Sequence, residues 1–350
     1  MIDSESNAGA PRGRASTGNP KARFERLEIE PLEPPAERVE TEFLRDDSRT
    51  VLSRNDSPDV PFTYSLNPYR GCEHGCIYCY ARPTHEYLGL SAGLDFETKI
   101  LVKERAPELL RRELGRPGWT PQVVALSGVT DPYQPVERRL ALTRGCLEVL
   151  LEHRNPAAVI TKNRLVTRDL DLLAALADHG AAAVTLSITT LDAELARRME
   201  PRTSHPRDRL WALAELRAAG VPCGVNVAPV IPGLNDHEIP AILAAAAQAG
   251  AAFANYLMLR LPGAVAGLFD AWLRSNFPDR RTKVTSRIRD VRQGRINDTL
   301  FGRRTRGQGP YAAQIRALFE NAAGRNRLAL AGPELSTAAF RRRGEQLELY

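Results

Sequence analysis

From residue 64 onward, short apolar runs recur, separated by stretches that carry apolar residues at helical spacing. The runs are Tyr64 to Tyr69, Val123 to Leu126, Ala157 to Ile160, Ala183 to Leu186, Val221 to Val227 and Phe253 to Leu259. Their length and content are those of buried strands. Between them, Thr167 reads as an N-cap, with Leu170, Leu173, Ala174 and Ala177 at helical spacing before Gly180. Arg209 to Ala219 reads as a second helix closed by Gly220, and Asn235 as the cap of a third that runs to Gly250. This rhythm is that of βα units and of a parallel sheet. Six units are too few to close an eight-fold barrel, so an α/β fold with a partial (β/α)6 TIM-type barrel is expected over residues 46–263. In such sheets the site lies at the C-terminal strand ends. That rule selects Tyr69–Cys72, Ser127–Asp131, Thr161–Asn163, Ser187–Thr190, Asn226–Pro232 and Met258–Leu261.

The flanks lack this rhythm. Residues 1–45 are rich in Ser, Gly, Pro and charge and are expected to be disordered, apart from a short strand or brace at Arg23 to Ile29. Residues 264–350 form a basic extension, mostly helical, with a final helix at Ala312 to Ala322. Between Asp270 and Arg306 there are eleven Lys/Arg and four Asp/Glu, a local net of +7 in a chain whose whole surplus is +6. That charge fits contact with nucleic acid or another anion, and equally a solvated surface rich in Arg from a GC-biased genome. The 43% hydrophobic and 26% charged content is that of a soluble protein. The start, Met1-Ile2-Asp3-Ser4-Glu5, lacks a signal peptide's basic patch and apolar run, and Ile239 to Ala254 is too Ala-rich to span a bilayer. A cytoplasmic location is expected.

Three of the five cysteines fall within eight residues, in Gly71-Cys72-Glu73-His74-Gly75-Cys76-Ile77-Tyr78-Cys79-Tyr80. With no export signal, that spacing argues for a metal site over a disulfide framework. Three thiolates can hold three irons of a cubane and leave the fourth open. The alternative is a structural zinc with His74 or His85 as fourth ligand, although the paired C-x2-C units usual for zinc are missing. Cys146, in a helix pattern, and Cys223, in a strand, read as buried apolar residues.

C-x3-C-x-aromatic-C after the first strand resembles the signature of radical S-adenosylmethionine (SAM) enzymes. Asn67-Pro68-Tyr69-Arg70-Gly71 before it and Tyr80-Ala81-Arg82 after it resemble the spore photoproduct lyase-like subgroup. His85-Glu86-Tyr87-Leu88-Gly89 with Asp95-Phe96-Glu97 is similar to bacterial relatives of that lyase. The resemblance implies a 4Fe–4S cluster on Cys72, Cys76 and Cys79, with SAM on the open iron. It implies reductive cleavage to a 5′-deoxyadenosyl radical and an electron donor of flavodoxin or ferredoxin type.

The resemblance also implies SAM contacts. Tyr78 would lie near the adenine. Asp131, aided by Thr130, would replace the family's Gly-Gly-Glu at the methionyl amine. Lys162 and Arg202 would meet the carboxylate, and Ser187 and Thr189 the ribose or methionyl group. Gly233 would open the loop that packs on adenine. Core packing, an Asp-Pro turn, surface placement and a plain turn are the respective alternatives for Tyr78, Asp131, Arg202 and Gly233. The lyase's cysteine after its second strand has no counterpart, since Gly128 stands nearby and no cysteine lies between Cys79 and Cys146. Photoproduct repair is therefore not assigned. The reading is a radical SAM enzyme whose substrate is open, nucleic acid included. The alternative is a non-enzymatic iron–sulfur or zinc protein that binds nucleic acid.

Overall fold

The computed structural model describes residues 10–25 and 37–342. Its strands are β1 Glu42–Arg45, β2 Leu52–Arg54, β3 Tyr64–Leu66, β4 Tyr69–Arg70, β5 Lys99–Val102, β6 Val124–Leu126, β7 Ala157–Thr161, β8 Ala182–Ser187, β9 Cys223–Val230 and β10 Phe253–Met258. The helices are α1 Leu94–Thr98, α2 Ala106–Leu114, α3 Glu137–Leu140, α4 Leu142–His153, α5 Leu170–Ala177, α6 Ala193–Met199, α7 Pro206–Ala218, α8 Ile239–Gln248, α9 Val265–Asn276, α10 Pro278–Asp290, α11 Arg303–Arg306 and α12 Gly309–Arg325.

The main sheet runs β10-β9-β8-β7-β6-β3-β2. Six strands, β3 and β6 to β10, are parallel and lie in chain order; β2 adds an antiparallel edge, so the sheet is open. The fold is thus mixed α/β with a parallel sheet. The first expected strand is split. Tyr64–Leu66 joins the main sheet, whereas Tyr69–Arg70 pairs with β5 in a small sheet of order β1-β5-β4. Asn67 and Pro68 make the break, as Pro has no N–H for a ladder.

Period-two alternation gives the parallel strands two unlike faces. Leu66, Val124, Leu126, Val159, Val184, Leu186, Val225 and Val227 point into one large core with the inner faces of α2, α4, α5, α7, α8 and α12. The other face carries Ser65, Ala125, Ala158, Ile160, Ala183, Thr185, Gly224 and Asn226, mostly small or polar. Ala158, Ile160 and Thr185 are partly exposed, while Val159, Val184 and Leu186 are fully buried. Near the strand starts, the Phe253 ring lies across Gly224, where a Cβ would come within 2.3 Å of it.

A second apolar cluster joins the cysteine loop (Cys76, Ile77, Tyr78) to Ile231, Leu234, Val265, Phe269, Val284 and Ile288. Residues 264–325 are therefore packed on the sheet domain through α9, α10 and α12. The expected final helix is present and longer, Gly309–Arg325.

Three local expectations differ. Thr167 lies inside a 3₁₀ turn, and Asn163 is the cap, accepting from Leu165 N at 3.0 Å. α7 begins at Pro206, favoured at a first turn, with His205 as its cap. The Asn235 side chain does not cap the following helix; it accepts from Ile231 N and donates to Thr189 O and Pro229 O, pinning the loop after β9.

The expected disorder of residues 1–45 is corrected for residues 10–25 and 37–45; residues 1–9 and 26–36 lie outside the described residues. Arg14 and Ser16 are buried, and β1 pairs with β5. Buried polar partners outweigh the polar composition that suggested disorder. Arg14 donates to Glu97 O at 2.7 Å, and Ala15 N and Ser16 N donate to the Glu97 carboxylate. At the expected brace, Arg23 pairs with Glu86 and Phe24 stacks on Tyr87; no strand forms at 23–25, and residues 26–29 lie outside the described residues. Among the described residues, no helix is long and apolar enough to cross a membrane.

Candidate active site at the strand ends

The cysteine loop follows β4 and is stapled from within. Arg82, fully buried, donates to the carbonyls of Gly75, Cys76, Ala92 and Gly93 and, at 2.5 Å, to Glu97. Gly75 has φ +65, and a Cβ there would meet Glu97 Oε2 at 2.7 Å, so the loop passes the carboxylate only with glycine. Cys72 N donates to Phe96 O, Ile77 N to Met199 O and Glu73 N to Gln134 Oε1. The loop's shape is thereby fixed by groups from four separate parts of the chain.

Cys72 and Cys76 are buried and Cys79 half-buried. Burial, and then neighbouring negative charge, push the Cys72 and Cys76 thiols well up. Burial also raises Cys79, against the pull of Arg82 and Lys162. Thiols held this way gain most from a cationic metal partner, which deprotonates them on binding. His74 is not a free fourth ligand: its Nδ1 faces Asp131 at 3.4 Å and its Nε2 accepts from Asn163 at 3.2 Å. His85 Nε2 is turned to Lys99 O at 2.9 Å. Among the described residues no three His, Cys, Asp or Glu groups converge on one point; a cubane takes each thiolate on a different iron. The donor set, three thiols on one rigid loop, fits an iron–sulfur cluster.

Beside Cys76 lies a buried polar network built on Glu200, at the end of α6. Glu200 pairs with the fully buried Arg209 and accepts from the Tyr78 phenol. Lys162 Nζ donates to Thr189 Oγ1 and Ala228 O, both at 2.9 Å, and stands 3.4 Å from Glu200. Burial alone would raise the Glu200 carboxyl; Arg209 and Lys162 instead hold it down to about 2. The ammonium lies 5.5 Å from the Tyr78 ring centre. Tyr78, Lys162 and Thr189 are thus brought together against the cysteine loop.

Asp131 and Thr130 stand at the expected strand end but are turned to protein partners. Asp131 accepts from Thr161 Oγ1, Tyr133 N and Lys162 N and faces His74, so its carboxylate is already filled. Its pKa is lowered: burial opposes this, but His74, Thr161 and the Lys162 N–H prevail. The Thr130 hydroxyl is turned inward to Asn67 and Tyr69 O. Ser187 is buried at the end of β8, with its carbonyl taken by Arg209. Arg202 turns to Glu73 and Thr41. Gly233 faces Val284 and Arg287 of α10, away from the network.

Arg209 was missed by the sequence reading, and Asn226 and Arg260, within the strand ends it selected, were given no role. Arg209 sits on the buried stripe Arg209, Ala212, Leu213, Leu216 of α7, and a charge on an apolar stripe signals a buried partner. Asn226 projects from β9 beside Ser187 of β8, and its buried Oδ1 has no hydrogen-bond partner. An orphaned acceptor there fits a ligand's amine or hydroxyl. At the mouth, Tyr80 is 44% exposed and donates to Gly128 O. Arg260, after β10, lies 5.0 Å from the Tyr80 ring centre, and its Nε has no partner.

The chain is 42% identical over 234 residues to an uncharacterised protein of Mycobacterium bovis, covering 66% of this chain and 68% of that one. It is 27% identical over 173 residues to the radical SAM Nalpha-GlyT isomerase of Pseudomonas phage M6, covering 49% and 34%. Its fold is similar to that of spore photoproduct lyase complexed with dinucleoside spore photoproduct, with TM-score 0.55, 15% identity, and 82% of this chain and 81% of that chain covered. Residues 66–246, from the end of β3 through the cysteine loop and the polar network into α8, match the radical SAM superfamily. The chain belongs to that superfamily, whose enzymes use SAM and an iron–sulfur cluster.

Proposed function

We propose that Cys72, Cys76 and Cys79 hold a 4Fe–4S cluster with SAM at its open iron, and that the small-residue face of the sheet receives the substrate. The carrying observation is the contrast between the two faces: one is filled by Leu and Val, the other carries Ser, Ala, Thr, Gly, Asn and one Ile, with Ala158, Ile160 and Thr185 partly exposed. A closed barrel fills its interior with bulky side chains; here the corresponding face carries mostly small or polar ones. On this reading the six strands form the partial (β/α)6 barrel with that face inside. The cluster and SAM, once bound, would supply reductive cleavage of SAM and hydrogen abstraction, with one electron from a flavodoxin- or ferredoxin-type donor.

The chain's own residues bind and orient. Lys162 brings positive charge beside Cys76 and takes the SAM carboxylate by releasing one of its three protein acceptors. Asn226 accepts from a SAM donor, with Ser187 beside it. Asp131 is a positioning residue that fixes His74 and the Lys162 backbone. Glu200 and Arg209 hold Tyr78 and Thr189 in place.

The substrate we assign is nucleic acid. The mouth interleaves exposed aromatic faces with arginine: Tyr80 with Arg260, and Phe301, 53% exposed, with Arg304 at 4.4 Å. Such alternation holds single strands by stacking and charge. Much of the basic segment is otherwise engaged. Arg292 is buried on three backbone carbonyls and Arg306 binds Tyr256 O and Asn255, whereas Arg304, paired with Asp59, keeps its face on Phe301.

The test is anaerobic reconstitution with iron and sulfide, followed by dithionite and SAM, with 5′-deoxyadenosine measured by mass spectrometry. The nucleoside should form with wild-type protein and vanish in Cys76→Ala. A cluster-loaded protein that forms none and whose spectrum ignores SAM would overturn the proposal.

A further inference from the structure

Outside the strand-end site, a groove of about 570 Å³ runs between the loop after β9, α10 and α12. This size lies within the roughly 300–1,000 Å³ of small-molecule sites. Arg280, Lys283 and Arg287 line one wall. They stand at i, i+3 and i+7 on α10 and so share a helix face. Arg280 and Lys283 are exposed, and neither makes a side-chain hydrogen bond or ion pair with any described residue. Arg287 lies 4.4 Å from the Tyr311 ring centre and is 3.4 Å from Asp290. The opposite wall offers His237, Gln314 and Tyr311. Asp236 is the one carboxylate among the lining residues, and it is already occupied by Gly233 N and the Tyr311 phenol.

The cations are presented on a rigid support. The neighbouring face of α10 is buried through Val284 and Ile288 in the cluster that includes Ile231 and Leu234. Gly233 lets the loop approach α10 closely; a Cβ there would lie 3.3 Å from Arg287 Cγ. Two unpaired cations, with Arg287 beside them shared with Asp290, on a fixed helix and in a concave groove, suit a multiply charged oxyanion.

We propose that this groove is a phosphate-binding site, separate from the SAM site, with Arg280 and Lys283 as its principal contacts. The phosphate can belong to a free polyphosphate-bearing ligand or to a nucleic-acid backbone, and the test tells them apart.

The reconstituted holoenzyme is titrated with tripolyphosphate by calorimetry and with a short fluorescein-labelled single-stranded DNA by anisotropy. Arg280→Ser/Lys283→Ser is compared with wild type and with Arg316→Ser, an exposed arginine of α12 outside the groove. The double variant should bind tripolyphosphate at least tenfold more weakly, and Arg316→Ser as wild type does. If the groove takes backbone phosphates, tripolyphosphate also displaces the DNA, and the double variant flattens the slope of log K against log salt by about 1.4. Tripolyphosphate binding with no effect on DNA assigns the groove to a small phosphorylated ligand. No tripolyphosphate binding, or equal losses in the double variant and Arg316→Ser, overturns the proposal. Formation of 5′-deoxyadenosine by the wild-type protein is read separately, so failure of the groove and failure of the radical SAM reading are distinct results.

Discussion

Glu200→Gln removes the negative centre of the network while keeping its shape. Glutamine still offers an oxygen to the Tyr78 phenol and the Thr189 hydroxyl, but Arg209 loses its only side-chain counter-ion among the described residues. Breaking one partner out of a buried pair costs about 3–5 kcal/mol, because the other charge stays buried. Arg209 keeps Ser187 O, Ser204 O and the Thr203 hydroxyl, so the low end of that range, about 3 kcal/mol, applies. Arg209→Met should cost a similar amount. The double variant Glu200→Gln/Arg209→Met should cost less than the sum by about 2 kcal/mol, since no lone charge remains between the two. Urea unfolding at neutral pH, followed by circular dichroism on matched preparations, measures all three. Additivity within about 0.5 kcal/mol, or a single-variant cost below about 1 kcal/mol, would refute the claim that this pair organises the site.

Lys162→Met should weaken SAM binding about ten- to a hundredfold, the value of a hydrogen bond to a charged group, with iron content unchanged; equilibrium dialysis and iron analysis check it. Arg260→Ser should weaken single-stranded DNA binding about tenfold in an anisotropy titration, in line with the loss of one stacked cationic contact. Asp59 is held below the usual carboxylate range: burial opposes this, but Gly302 N and Arg304 prevail. Its contribution to stability is therefore complete above the unfolded carboxylate pKa and lost as pH falls through the lower folded value, so Asp59→Asn should show a shallower acid loss of melting temperature than wild type. Burial raises the Cys146 and Cys223 thiols, Cys223 to about 11. Neither should react with iodoacetamide at neutral pH until urea is added, as mass mapping will show.

The cysteine loop, the parallel strands and their C-terminal ends were legible because each depends on local pattern. Cysteine spacing and apolar period survive in one dimension. Lys162 and Thr189 were picked out that way, since a polar residue directly after an apolar run marks a strand end, and Tyr78 from its place in the cysteine motif. Glu200 and Arg209 were not, because their meaning comes from a pairing across α6 and α7 that no period encodes. Asp131 shows the converse: its position was right, but its carboxylate is filled by Tyr133 N and by Thr161, Lys162 N and His74 from distant parts of the chain, which composition does not reveal. Gly233 shares a loop with residues near the site but turns toward α10. Ser, Gly and Pro in residues 10–25 suggested disorder because their partner, Glu97, stands some 80 residues away in the chain.

That last contact sets an order of assembly. Arg14, Ala15 and Ser16 are made early, yet the glutamate that receives them, by its backbone carbonyl for Arg14 and its carboxylate for the other two, appears 81 to 83 residues later. At about 5–20 residues per second, the leading segment waits roughly 4–16 s before it can dock. The cysteine loop is made within that interval, so its three thiols are synthesised before the segment beside Glu97 can close. A fragment cut to residues 66–246 would never close at all, and Arg82 would then face Glu97 without the two backbone N–H groups that complete the carboxylate's shell.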